Sequence, residues 1–302
     1  MAPVVLTDEA IEAGYNNRAA VPEHPRFVAE WLARSQEAIE RYRPRRDLRY
    51  GPNPRETLDL YVPNGTPRGT FVFAHGGYWR AFGKDDFAFV APVLVEQGFA
   101  VAVLDYDLCP DVTIATIVDE CRRALLWVAR EGARHGAGGP VVIGGHSAGG
   151  HLAAMMCVTD WAALGASSAP FVGALTLSGV HDLAPMVRFS YNADLRLDEA
   201  EAARLSPINH PLRVKAPLLV VCGADETTEF LRQSQLIWDA WPASRRPAVR
   251  SPSASLQHRA GPCRCGKCAD PGHAGAVLRR SRVPGFGPAS HRRNAPKSAA
   301  TR

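Results

Sequence analysis

One stretch limits the fold of this 302-residue chain more than any other: Val141-Val142-Ile143-Gly144-Gly145-His146-Ser147-Ala148-Gly149-Gly150-His151-Leu152. The β-branched run reads as a buried strand and residues 150–158 carry helix formers, so a serine stands on the tight turn between strand and helix. Side chains flanking it would collide on such a turn, which calls for glycine two positions before and two after. Gly145 and Gly149 fill those places. A glycine-serine pattern alone is as readily an ordinary turn. The strand before it and the helix after it make Ser147 a candidate nucleophile, with the first amides of the helix aimed at an anion.

A second strand-like run, Phe71-Val72-Phe73-Ala74, leads straight into His75-Gly76-Gly77-Tyr78-Trp79. Consecutive glycines let the backbone turn so that the N–H groups of Gly76 and Gly77 converge on a developing oxyanion, with the N–H of Ala148 as third donor. The competing reading is a plain glycine turn after a strand, but the two motifs fall in the order an oxyanion loop and its nucleophile require. Tyr78 and Trp79 either wall an aromatic substrate pocket or pack beneath the loop. His75 is expected to hold the loop by hydrogen bonds. Asp225 follows the apolar run at 218–221, where an acid at a strand's carboxyl end would complete a Ser…Asp…His order. Its alternative role is to cap the helix that begins near Thr227. Asp182 and Glu226 are weaker rivals, and Asp105 and Asp107 read as structural turn residues.

A chain of this length with 46% hydrophobic residues can bury one large parallel sheet. Strands are expected at 58–62, 70–74, 100–104, 141–143, 172–177 and 217–221. Helices are expected at 24–42, 87–97, 114–131, 150–160 and 228–241. This alternation gives an α/β fold with a mostly parallel central sheet and helices on both faces. No run of 18 apolar residues occurs, and the first residues lack a basic region followed by an apolar core. A soluble cytoplasmic protein without membrane partners is therefore expected. Cys109, Cys121, Cys157 and Cys222 sit singly in apolar segments and read as reduced core residues. Charge divides the chain sharply: residues 243–302 carry +12 of a chain total of +5, leaving −7 for residues 1–242. We therefore expect a hydrolase-like domain at 1–242 and a basic, low-complexity, disordered tail at 243–302. With Phe286 its only aromatic, the tail lacks the interleaved rings of a specific nucleic-acid binder.

Several stretches together carry a family resemblance over nearly all of residues 12–242. They are Tyr15-Asn16-Asn17-Arg18, Pro22-Glu23-His24-Pro25, Leu58-Asp59-Leu60-Tyr61, His75-Gly76-Gly77-Tyr78-Trp79, Gly145 to Leu152, Ser178-Gly179-Val180 with Asp182-Leu183, and Gly223-Ala224-Asp225-Glu226. The chain resembles the kynurenine formamidase (arylformamidase) group of α/β-hydrolases, close to the H-G-G carboxylesterases. The resemblance implies Ser147 as nucleophile, Gly76, Gly77 and Ala148 as oxyanion donors, and Asp225 as triad acid. It also implies hydrolysis of N-formyl-L-kynurenine to kynurenine and formate, within tryptophan catabolism, with no metal or organic cofactor. A small-ester carboxylesterase and a non-catalytic binding scaffold are the alternatives. A small molecule is the expected partner, and homodimerisation is left open.

The triad base is the gap. In the resembled group a histidine follows the last strand, roughly 30 residues after the acid, and the position here falls on His258 in Ser255-Leu256-Gln257-His258-Arg259. His273 and His291 lie further on. None is followed by the aromatic residue, strand and closing helix of the group, so the last strand and helix are expected to be missing. The tail reads as a frame-shifted segment. With one choice of codons for Ser255 to Pro262, dropping one base yields the peptide H-F-N-I-V-L-A, which resembles the missing histidine loop. Cys263, Cys265 and Cys268 with His273 have spacings that fit no common zinc pattern, so no metal is expected there.

Overall fold

The computed structural model describes residues 6–242 and the backbone of 249–251. Eight strands form one sheet: β1 (Arg45–Arg49), β2 (Thr57–Tyr61), β3 (Thr70–Ala74), β4 (Ala100–Leu104), β5 (Val141–His146), β6 (Gly173–Leu177), β7 (Leu218–Gly223) and β8 (Val249–Ser251). Their order is β1-β2-β4-β3-β5-β6-β7-β8. The two pairings nearest β1 are antiparallel and all others parallel. The helices are α1 (Asp8–Tyr15), α2 (Asn17–Ala20), α3 (His24–Tyr42), α4 (Pro92–Val95), α5 (Ile114–Glu131), α6 (Ala148–Cys157), α7 (Asn192–Leu195), α8 (Glu199–Leu205) and α9 (Thr228–Ala240).

Period-two alternation in the central strands divides the core. Phe71 and Phe73 of β3 and Val101 and Val103 of β4 face one side, where they pack with Phe87, Phe89, Leu94 and α3. Val72, Ala74, Ala102 and Leu104 face the other side, with Ile117, Leu125 and Val128 of α5, Leu152 of α6, and Phe230 and Ile237 of α9. A central parallel sheet covered on both faces needs strands apolar throughout, and β3 and β4 are buried at every position.

The last strand, expected to be missing, is present in short form. β8 pairs with β7 in parallel, Val221 opposite Val249 and Gly223 opposite Ser251. It lies past residue 242, where the sequence sets the end of the hydrolase-like domain, so the sheet draws on the first residues of the basic segment. The helix expected over 87–97 is instead a 3₁₀ segment, Lys84–Val90, followed by the single turn α4. Pro92 lacks a backbone N–H and restricts the residue before it, which ends the first element there. Cys109, Cys121, Cys157 and Cys222 are buried and form no disulfide among the described residues. No described helix is long and apolar enough to cross a membrane.

Candidate active site

Ser147 sits between β5 and α6 with φ 54° and ψ −117°, a left-handed backbone that a residue bearing a Cβ adopts only at a cost of about 1–3 kcal/mol. Two backbone bonds hold it there: its N–H donates to Leu177 O at 2.8 Å, and its carbonyl accepts from His151 N–H at 3.1 Å. The glycine requirement is steric. A Cβ on Gly145 would drive into the carbonyl of Gly149, and one on Gly149 into the carbonyl of Ala74. The elbow can therefore lie directly against the end of β3.

The Gly76–Gly77 loop lies across this elbow. A Cβ built on Gly76 would stand 2.9 Å from His146 Nδ1 and 3.4 Å from Ser147 Cβ. Gly77 has φ +117°, open only to glycine in practice. His75 sets the direction of the peptide between them. Its Nδ1 lies 2.7 Å from Gly76 O and its ring stacks on Tyr106 at 4.0 Å. Because carbonyl and N–H point opposite ways across a trans peptide, tying Gly76 O to His75 turns the Gly77 N–H away from that ring. Tyr106 Oη–H donates to His75 O at 2.7 Å, and Arg55, paired with Asp105 at 2.7 Å, donates to Phe82 O. Asp105 thus holds the loop from behind. Among the described residues, none of the N–H groups of Gly76, Gly77 and Ala148 is taken by another hydrogen bond.

The cleft over Ser147 encloses about 750 Å³ including its open mouth. Rings make its walls: Phe27 and Trp31 from α3, then Tyr78, Phe82, Phe87 and Tyr191. Tyr78 is anchored by donating its Oη–H to Tyr15 O at 2.5 Å. The structure separates the two aromatics of the oxyanion loop. Tyr78 lines the cleft, whereas Trp79 is fully buried beneath it with its ring 5.0 Å from that of His151. Trp79 is therefore corrected from a pocket residue to a core residue. Packing separates them: the Tyr78 ring lies against Phe189 and Tyr191, and the Trp79 ring against His151.

Asp225 lies in the turn after β7, exposed. Ser147 and Asp225 both follow the carboxyl ends of parallel strands, with β6 between them, so the two positions stand about 10 Å apart across the sheet. The capping role is not available to explain Asp225, because Thr227 caps α9. Glu226 accepts from Ser178 Oγ at 2.8 Å, and Asp182 accepts from Arg232 at 3.3 Å. Both rivals have structural partners.

His258, His273 and His291 lie outside the described residues. Among the described residues, no side chain hydrogen-bonds to Ser147 Oγ. His146 and His151 are buried, and burial pushes each imidazole down to about 4. A base so weak holds a proton poorly at neutral pH. His151 is moreover engaged with Leu205 O at 2.8 Å through Nε2. Among the described residues no cluster of metal-binding side chains occurs.

The apolar face that the sequence gives the 24–42 helix, with Phe27, Val28 and Trp31 on it and expected to cover the sheet or the site, lines the cleft together with His24. Arg80 and Tyr191 also line the cleft without having been singled out. They come from loops whose place over the sheet no local periodicity encodes.

Residues 58–240 match the family model described as BD-FAE. The chain belongs to this family. Within it the chain falls in the kynurenine formamidase group of α/β-hydrolases. It is 32% identical over 245 residues to kynurenine formamidase of Danio rerio, covering 79% of this chain and 78% of that one. It is 34% identical over 194 residues to the Salmo salar enzyme of the same name, 62% of this chain and 64% of that one. The chain thus spans just under two thirds of the salmon relative's length. Among solved structures it is similar to a protein from Silicibacter sp. TM1040 assigned as a thioesterase, with TM-score 0.73 and 33% identity, covering 82% of this chain and 93% of that one.

Proposed function

We propose that the chain is a serine hydrolase of the arylformamidase type, acting on N-formyl-L-kynurenine. The observation that carries this is the strained Ser147 elbow with unspent Gly76, Gly77 and Ala148 amides at the floor of an aromatic-walled cleft. In this mechanism Ser147 Oγ attacks the formyl carbon while a base takes the hydroxyl proton. The three N–H groups stabilise the oxyanion. The C–N bond then breaks, the aryl nitrogen takes the proton back from the base, and kynurenine leaves. Water attacks the formyl-serine, the base accepts its proton, and formate departs as that proton returns to Ser147 Oγ. His258, oriented by Asp225, is the base this reading assigns. The protein would work in the cytoplasm on a small-molecule substrate.

An ester reading is favoured by the likeness to the Silicibacter protein assigned as a thioesterase. Turnover of N-formyl-L-kynurenine against a short p-nitrophenyl ester separates the two. The formamidase reading predicts comparable or better kcat/KM for the formamide, and an ester preference of several orders of magnitude overturns it. A binding scaffold is the outcome if neither substrate is turned over in a Ser147-dependent way.

A further inference from the structure

The cleft has a charge pattern that hydrolysis of a formyl group does not require. Its lining includes Arg18, Arg80 and His24 but no carboxylate. The two guanidiniums differ in their commitments. Arg80 is paired with Asp194 and lies over the Tyr191 ring at 4.5 Å, so its charge is already answered. Arg18 on α2 is exposed, and among the described residues no carboxylate pairs with it. Beside it, Asn17 also lines the cleft, and its Oδ1 is shut off from water with no hydrogen-bond partner among the described residues. A buried acceptor without a donor is rare and costs free energy that a ligand donor would recover.

We propose that Asn17 and Arg18 form a subsite for a free α-amino acid end on the substrate, Arg18 pairing with its carboxylate and Asn17 Oδ1 accepting from its ammonium. This rests on the hydrolase reading of Ser147 and assigns the residues that hold the amino acid end which N-formyl-L-kynurenine already carries. The aromatic walls take the ring, and the α2 turn takes the zwitterion. Arg18 suits this task because its planar fork matches a carboxylate in a way a lysine ammonium does not.

The test is equilibrium binding, which needs no turnover, read by calorimetry with the full chain and its Arg18→Gln and Asn17→Ala variants. The probes are kynurenine and its decarboxylated amine, kynuramine, with phenylalanine and phenethylamine as a second pair. Loss of the carboxylate is expected to weaken binding by about 10-fold or more in the wild type and by less than about 2-fold in Arg18→Gln. Asn17→Ala should weaken both members of a pair alike, since both keep the amine. Equal binding of kynurenine and kynuramine by the wild type, or a carboxylate preference that survives Arg18→Gln, overturns the subsite. If kynurenine does not bind while phenylalanine shows the Arg18-dependent preference, the subsite stands and the formylkynurenine reading falls. Matching melting temperatures for the variants exclude misfolding as the cause.

Discussion

Ser147 combines chemistry with backbone strain, and the two can be separated. Both Ser147→Ala and Ser147→Gly remove the nucleophile, but only glycine accepts φ 54° and ψ −117° without strain. Ser147→Gly is therefore expected to be more stable than Ser147→Ala by about 1 kcal/mol, the strain relief less the entropy glycine adds to the unfolded chain. Urea denaturation of the pair checks this, and equal midpoints would mean that the elbow is not strained. Gly149 fails in the opposite direction. Because its missing Cβ is where the Ala74 carbonyl lies, Gly149→Ala is expected to cost about 3 kcal/mol or more, measured in the same titration. At this scale the motif residues were legible in the sequence because their constraint is local. Whether Tyr78 or Trp79 faces the cleft was not, since both suit either side of the loop and only the packing of His151 and Phe189 decides it.

At the scale of elements, the central strands and the long amphipathic helices were readable because their apolar patterns are long and regular. α3 and α5 begin and end where the sequence places them. Edge and cover elements were not. β1, Arg-Arg-Asp-Leu-Arg, is almost wholly exposed and antiparallel, a charged edge that guards the sheet from further pairing rather than an apolar run. The short α7 and α8 depend on tertiary contacts for their existence. α1 and α2, which bring Asn17 and Arg18 to the cleft, are tied down by a few specific bonds. Tyr15 Oη accepts from Gln233 Nε2 at 2.7 Å, and Gln233 Oε1 in turn accepts from the N–H groups of His181 and Asp182. Tyr15→Phe leaves a buried donor unsatisfied and is expected to cost about 1–3 kcal/mol. Faster proteolysis within residues 6–20 should accompany it, and an unchanged stability would show that the strap is held by other contacts.

For the whole molecule, acid should be destabilising in a way set by buried imidazoles. Burial holds His146 and His151 at about 4 and His181 at about 3, against 6.5 in an unfolded chain. Above pH 6.5 these groups are neutral in both states. As pH falls from 6.5 toward 4 the unfolded chain takes up protons the folded one refuses, so each can remove roughly 1.4 kcal/mol per pH unit. Glu120, buried and raised to about 7, acts in the opposite sense between about 4.5 and 7, because the folded chain keeps a proton that the unfolded one loses. Three groups against one give a net fall in melting temperature below pH 6.5, and a flat profile from 6.5 to 4.5 would contradict the burial of these rings. The central claim concerns chemistry, and formate release from N-formyl-L-kynurenine by the full chain beside its Ser147→Ala variant tests it most directly. The account predicts turnover that falls by about 10³-fold or more in the variant, to what an oxyanion hole alone provides. Equal rates for the two proteins would contradict it.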